Sequence, residues 1–181
     1  MGYPRMYAVE GIIIKRRNVG EADRVLTVFT KEKGKIAAIA KGVRKITSRR
    51  AGHIEVFSHV RLMIHKGKTW DIVTEAASLG RFEKESLSHV SAGYYLCELI
   101  DKMTPLEEEN RYLFDLLLYS LAAVFEETSE EKRVNIIHVF ALELLWTLGF
   151  LPRSKELSFT LINPFIEKII ERKIRSVRLL S

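Results

Sequence analysis

The chain is expected to fold as an α+β protein, with a five-stranded β-barrel over residues 1–80 and an α-helical bundle domain over 81–181. Three observations predict this. The first eighty residues carry short β-branched and apolar runs separated by Gly-containing turns. Near residue 83 the apolar period lengthens from two to between three and four. The charge balance reverses at about the same place. Residues 1–80 hold sixteen Lys+Arg against seven Asp+Glu, a net of +9, and residues 81–152 hold six against thirteen, a net of −7. Residues 153–181 return to +4, which leaves +6 for the whole chain.

Residues 7–15 (YAVEGIIIK) are an apolar, β-branched run and form the first expected strand. The turn signal NVGEAD at 18–23 leads into a second strand, Arg24–Thr30. Glu32-Lys33-Gly34-Lys35 is a tight connection into a third strand, Ile36–Ala40. A polar, basic loop follows, and a fourth strand is expected from about Ile54 to His65, with Val56, Val60, Leu62 and Ile64 on one parity. Gly67 marks a hairpin into a fifth strand, Trp70–Ala76. Five short strands in about 75 residues suit a closed barrel of the OB type. An SH3-like barrel or a small sandwich fits the same pattern.

In the second half, Leu87, Val90, Tyr94, Cys97 and Ile100 mark a helix that ends at the Thr104-Pro105 step. A second helix is expected over 107–126, with Glu107-Glu108-Glu109 in its first turn, where the positive end of the helix dipole favours acids. Thr128-Ser129-Glu130-Glu131 precedes a third helix, 131–149, which Gly149 and Pro152 stop. A fourth, shorter helix is expected from about Pro164 to Lys173. The Tyr, Phe and Leu stripes read as the interior of a bundle and not as a cofactor box.

Composition narrows the function classes. A hydrophobic content of 47% with 29% charged residues belongs to a folded, water-soluble chain. No apolar run approaches the roughly 20 residues that span a bilayer, and Met1–Met6 does not read as a signal peptide. A lone cysteine, Cys97, makes no internal disulfide and fits a reducing cytoplasm. The five histidines show no ligand spacing with Cys97, and His59 and His65 lie six residues apart on one strand, roughly 20 Å and too far for one metal. No metal and no cofactor are expected. Phosphate loops of the P-loop or dinucleotide type, a Gly-x-Ser-x-Gly elbow and a zinc-binding His-Glu pair are all lacking. The Glu21/Asp23 pair beside Arg24 reads as turn chemistry, so an enzyme is disfavoured.

What remains is a set of cations on the expected barrel. Lys15, Arg16 and Arg17 end the first strand, and Lys31, Lys33 and Lys35 surround the second turn. Lys41, Arg44, Lys45, Arg49 and Arg50 populate the 41–52 loop, and Lys66 and Lys68 sit at the last hairpin. Basic loops rimming a small barrel make a groove for a sugar–phosphate backbone. Phe29, Phe57 and Trp70 are candidates to stack bases. The DNA-binding candidates are Lys15, Arg17, Arg24, Lys35, Lys41, Arg44, Lys45, Arg49 and Arg50, with Asp23 placed to compete for Arg24.

Several ordered segments resemble the RecO family of recombination mediators. In the barrel half these are Gly20-Glu21-Ala22-Asp23-Arg24 with Leu26–Thr30, Gly34-Lys35-Ile36 leading to Ala40–Arg44, Ser48-Arg49, Phe57, and Ile72–Glu75. In the helical half they are Phe140–Leu145 and Leu148-Gly149-Phe150-Leu151-Pro152. The resemblance covers about residues 7–152. It implies an OB fold that binds single- and double-stranded DNA, a helical domain behind it, annealing of complementary strands, and action with RecR to load recombinase onto coated single strands. It also implies docking of the acidic, apolar C-terminal tail of single-strand-binding protein, and a cytoplasmic, nucleoid-associated location.

Two departures stand out. Many members carry a four-cysteine zinc module after the Leu-Gly-Phe-x-Pro segment, where this chain has Arg153-Ser154-Lys155-Glu156-Leu157. Because Arg172-Lys173-Ile174-Arg175-Ser176 resembles the closing segment of the family, the module reads as an internal deletion. The family often has basic residues before the Phe of the central helix, and here those positions are His138 and Val139, leaving Arg111, Lys132 or Arg133 as substitutes for tail docking. A protein–protein adaptor with a supporting barrel and an RNA-binding OB module are the rival readings.

Overall fold

The computed structural model describes residues 5–45, 51–83 and 86–179. Five strands, β1 (Met6–Val19), β2 (Asp23–Thr30), β3 (Gly34–Ala40), β4 (Ser58–His65) and β5 (Asp71–Arg81), close into a barrel in the order β1-β2-β3-β5-β4. Its neighbours are antiparallel except β3 and β5, which run parallel, and β1 pairs with β4 to close the ring. This is the OB-type barrel that the strand pattern predicts. Alternate residues of each strand fill its centre: Val9 and Ile13, Leu26 and Val28, Ile36 and Ala38, Leu62 and Ile64 are buried in one cluster.

The strand bounds differ from the sequence reading for local reasons. β1 runs on to Val19 because Lys15, Arg16 and Arg17 keep partners in Thr27, Leu26 and Val25 of β2. A register shift follows Ile13, whose carbonyl accepts the Phe57 N–H at 2.9 Å. Phe57 has φ 69°, a left-handed conformation that breaks extended chain, so β4 starts at Ser58 and not at Ile54. β5 is lengthened to Arg81 by pairing with the start of β4, Ser58 opposite Arg81.

Four helices follow: α1 (Leu87–Met103), α2 (Arg111–Glu126), α3 (Glu130–Thr147) and α4 (Phe159–Ile170). The chain divides into two compact units. One holds the residues up to Phe82 together with Pro105–Phe114, and the other holds Glu83–Thr104 and the residues from Asp115 onward. The return of 105–114 to the barrel unit overturns the expectation that Glu107–Glu109 open a helix. Leu106 bridges to Lys35, the Glu107 N–H donates to the Lys35 carbonyl at 2.9 Å, and Glu107 is left-handed at φ 57°. α2 begins only at Arg111, with the Asn110 side chain accepting from the Leu113 N–H at 3.0 Å. Gly34 is required beneath this segment: at φ 63°, a Cβ there would lie 1.8 Å from the Glu108 carbonyl oxygen.

In the helical unit, Leu96, Ile100, Phe140, Leu144, Leu145 and Ile162 are buried. α3 is capped by Ser129 and followed by Gly149 at φ 78°, the expected stop. α4 departs from the expectation. It begins after Ser158, whose carbonyl accepts from Leu161 and Ile162, and carries Pro164 inside its second turn. The missing Pro N–H removes one bond, which the buried Ile162 and Ile166 offset. The closing segment is held by Glu98, whose carboxylate accepts from the Arg175 N–H, the Ser176 N–H and the Ser176 hydroxyl at 2.6–3.0 Å.

Candidate nucleic-acid interface

The basic end of the barrel is built by two segments whose contacts span 19 to 24 residues of sequence. The β1–β2 hairpin turns at Gly20, φ 56°, and the chain leaving β3 folds back onto that turn. Three bonds dock it: the Gly42 N–H to Asp23 Oδ1 at 2.7 Å, the Arg44 N–H to the Ala22 carbonyl at 2.9 Å, and the Arg44 guanidinium to the Gly20 carbonyl at 3.2 Å. Val43 anchors the loop from below as a fully buried member of the barrel core. Lys41, Arg44 and Lys45 are exposed on this docked loop, and Lys15 and Arg17 are exposed on β1, with Arg17 the nearer of the two to the turn. Arg49 and Arg50 lie outside the described residues.

Strand parity divides the β1 cations. Arg16 pairs with Leu26, an inward-facing core residue, so Arg16 and Arg24 point over the barrel mouth while Lys15 and Arg17 point outward. Glu55 lies between the two arginines at that mouth. One carboxylate oxygen meets Arg16, and the other meets Arg24 at 2.8 Å. The Arg24 Nε–H also donates to Asn18 Oδ1 at 3.2 Å. Asp23, expected to compete for Arg24, is instead the acceptor for the Gly42 amide. Sequence reasoning left Arg16 out of the candidates and did not single out Glu55 or Asn18. No spacing rule signals an ion pair across 31 residues.

The other expected cations are placed differently. Lys35 is only 7% exposed on β3, apart from the exposed group. The ammonium groups of Lys31 and Lys33 lie over the rings of Phe114 and Tyr7, at 5.9 and 4.9 Å from their centroids. Lys33 and Lys66 line a cavity of about 380 Å³ together with Glu32, Asp71, Glu107 and Glu109. Lys33 and Lys66, at this opposite end, therefore share a cavity with carboxylates and do not extend the basic surface. Tyr7 donates to Asp71 at 2.6 Å, and burial followed by that carboxylate pushes its hydroxyl pKa well up. Of the aromatic candidates, Phe29 is fully buried and Phe57 nearly so, which removes both as stacking surfaces; Trp70, 43% exposed, is available.

The expected tail-docking substitutes fall in both units, Arg111 in the barrel unit and Lys132 and Arg133 in the helical unit. Arg133 is buried, donating to the Ser88 hydroxyl at 2.6 Å and the Glu127 carbonyl at 2.7 Å, which removes it as a surface cation. Arg111 is exposed and paired with Glu109, and Lys132 is exposed. His138 donates to the Leu157 carbonyl at 2.7 Å and meets Phe159 edge-on, while Val139 is exposed. Cys97 is buried, and burial and then Asp101 push its thiol pKa well up. Among the described residues no group of three His, Cys, Asp or Glu side chains forms a metal site. Among them, too, no helix is long and apolar enough to cross a membrane.

Two family models match consecutive stretches of the chain: "Recombination protein O N terminal" over residues 5–82 and "Recombination protein O C terminal" over residues 84–158. The chain is 39% identical over 154 residues to the DNA repair protein RecO of Roseiflexus sp. (strain RS-1), covering 84% of this chain and 53% of that protein. It is 33% identical over 149 residues to the DNA repair protein RecO of Symbiobacterium thermophilum, covering 81% and 58%. Against the protein of that name from Heliobacterium modesticaldum it is 36% identical over 155 residues, covering 82% and 53%. The matched region thus spans a little over half the length of these relatives.

Proposed function

The chain belongs to the RecO family of DNA repair proteins, and on that premise we propose that it binds single- and double-stranded DNA through the basic end of its barrel. We propose further that it anneals complementary strands and helps load recombinase onto protein-coated single strands, by binding and without catalysis. The observation that carries this reading is the docking of the 41–45 loop on the β1–β2 turn, which sets the exposed Lys41, Arg44 and Lys45 at the turn end of the strand that carries Lys15 and Arg17. Arg49 and Arg50 follow Lys45 closely in sequence. Cations so gathered release counterions from the phosphate backbone and lower the repulsion between two strands, so that exposed bases pair. The proposed partners are a RecR-type protein and the C-terminal tail of single-strand-binding protein, and the proposed location is the nucleoid of the cytoplasm.

Annealing of two labelled complementary oligonucleotides, with and without a coat of single-strand-binding protein and across a salt series, tests the reading. Acceleration that survives the coat supports it; absence of binding at low salt refutes it. A second reading, an adaptor whose helical unit is the active surface, is favoured by exposed Val139, Phe159 and Leu161. It expects firm binding of an acidic peptide and only weak DNA binding.

A further inference from the structure

Resting on the DNA-binding reading above, we infer that Arg16 and Arg24 form a paired phosphate site at the barrel mouth, held closed in the free protein by the Glu55 carboxylate, which a DNA phosphate displaces. A carboxylate with one oxygen on each of two guanidinium groups occupies the position a bridging phosphate takes, since both anions meet the same planar N–H forks. The cluster is reachable: the side chains of Arg16, Arg24 and Glu55 are 37%, 16% and 23% exposed. The carboxylate is only partly buried, so an incoming phosphate can reach the same two guanidinium groups and exchange with it. Arg24 keeps its position when Glu55 leaves, because its Nε–H is held by Asn18. The field that brings a phosphate there comes from the neighbouring Arg17, Lys41, Arg44 and Lys45 on the same end of the barrel. Glu55 therefore acts as a built-in competitor that restrains the affinity of the site.

The test is a salt titration of the full chain with a labelled single-stranded oligonucleotide, comparing wild type, Glu55→Gln, Arg16→Gln and the double variant. Glu55→Gln is expected to bind about 5-fold tighter at low salt, with log K falling more steeply against log salt by about 0.7, the value for one added charge on a single strand. Arg16→Gln is expected to flatten the slope by about 0.7. Its loss of affinity is expected to be larger in the Glu55→Gln background, where no competitor has to leave. A loss equal in the two backgrounds means a general charge effect and overturns the inference. So does wild-type binding whose affinity and slope Glu55→Gln leaves unchanged. If Glu55→Gln does not fold, Arg16→Gln alone carries the test, and an unchanged slope overturns the inference. Failure of wild type and Glu55→Gln alike to bind at low salt overturns the DNA-binding reading itself.

Discussion

Replacing Arg17, Arg44 and Lys45 together by alanine removes three exposed cations from the basic end while leaving its framework in place. The loop remains docked through backbone groups, the Gly42 and Arg44 amides and the buried Val43, so only the exposed Arg44 guanidinium bond to Gly20 is lost. Stability should change by no more than about 0.5 kcal/mol, the usual range for surface positions. Binding should change much more. Each phosphate contact on a single strand contributes about 0.7 to the slope of log K against log salt, so three lost contacts flatten it by about 2. Across a four-fold rise in salt, wild type then loses about 20-fold more affinity than the variant. On duplex DNA, where each contact contributes about 0.9, the flattening should be about 2.7. Fluorescence anisotropy with labelled single-stranded and duplex oligonucleotides from 50 to 200 mM salt reads both values. Parallel lines for wild type and variant would refute the assignment of phosphate contacts to this end of the barrel.

Three further outcomes follow from the packing. Gly34→Ala should cost about 3 kcal/mol or more in urea denaturation, because left-handed backbone is combined with a new Cβ driven into the Glu108 carbonyl; Gly20→Ala, at φ 56° in open space, should cost only about 1–2 kcal/mol. Equal costs would show that the 105–114 segment yields easily. Arg133→Ala should destabilise by about 3 kcal/mol in the same assay, since it strips a buried donor from the Glu127 carbonyl and the Ser88 hydroxyl, and a change under about 1 kcal/mol would contradict that burial. The Glu167 carboxyl is held below its usual range by the Lys173 ammonium and then the Ile174 N–H. Its contribution is complete above the ordinary carboxylate pKa and is lost as pH falls through the depressed folded-state value. The difference in Tm between wild type and Glu167→Gln should therefore be present at pH 7 and shrink toward pH 3; a difference constant with pH would remove the ionised carboxylate from the account.

Local patterns carried most of the architecture. Alternation in Arg24–Thr30 and in Val60–Ile64, the Gly34 and Gly67 turns, and the longer period after residue 83 each act over a few residues, and a single chain displays them openly. The misread bounds lie where a distant partner decides the conformation. Phe57 turns left-handed as its amide meets Ile13, Glu107 leaves the helical region to bond Lys35, and α4 tolerates Pro164 because its buried face outweighs one lost bond. Glu107-Glu108-Glu109 reads as a helical first turn from charge alone, and nothing local announces that Gly34 of another strand fits beneath it.

The candidate surface follows the same division. Sequence alone determined that the barrel half is rich in cations and that Lys41, Arg44 and Lys45 lie close along the chain to Arg49 and Arg50, because composition and adjacency need no fold. Only the tertiary structure decided which cations meet. It brought that loop to Arg17, sent Lys33 and Lys66 to a mouth lined by carboxylates, buried Lys35, and drew Glu55 between Arg16 and Arg24. The physical reason is barrel closure. Hydrophobic alternation fixes which way each strand faces, but charged side chains on different strands become neighbours only when the ring closes, and pairing across that ring is set by register and not by distance along the chain.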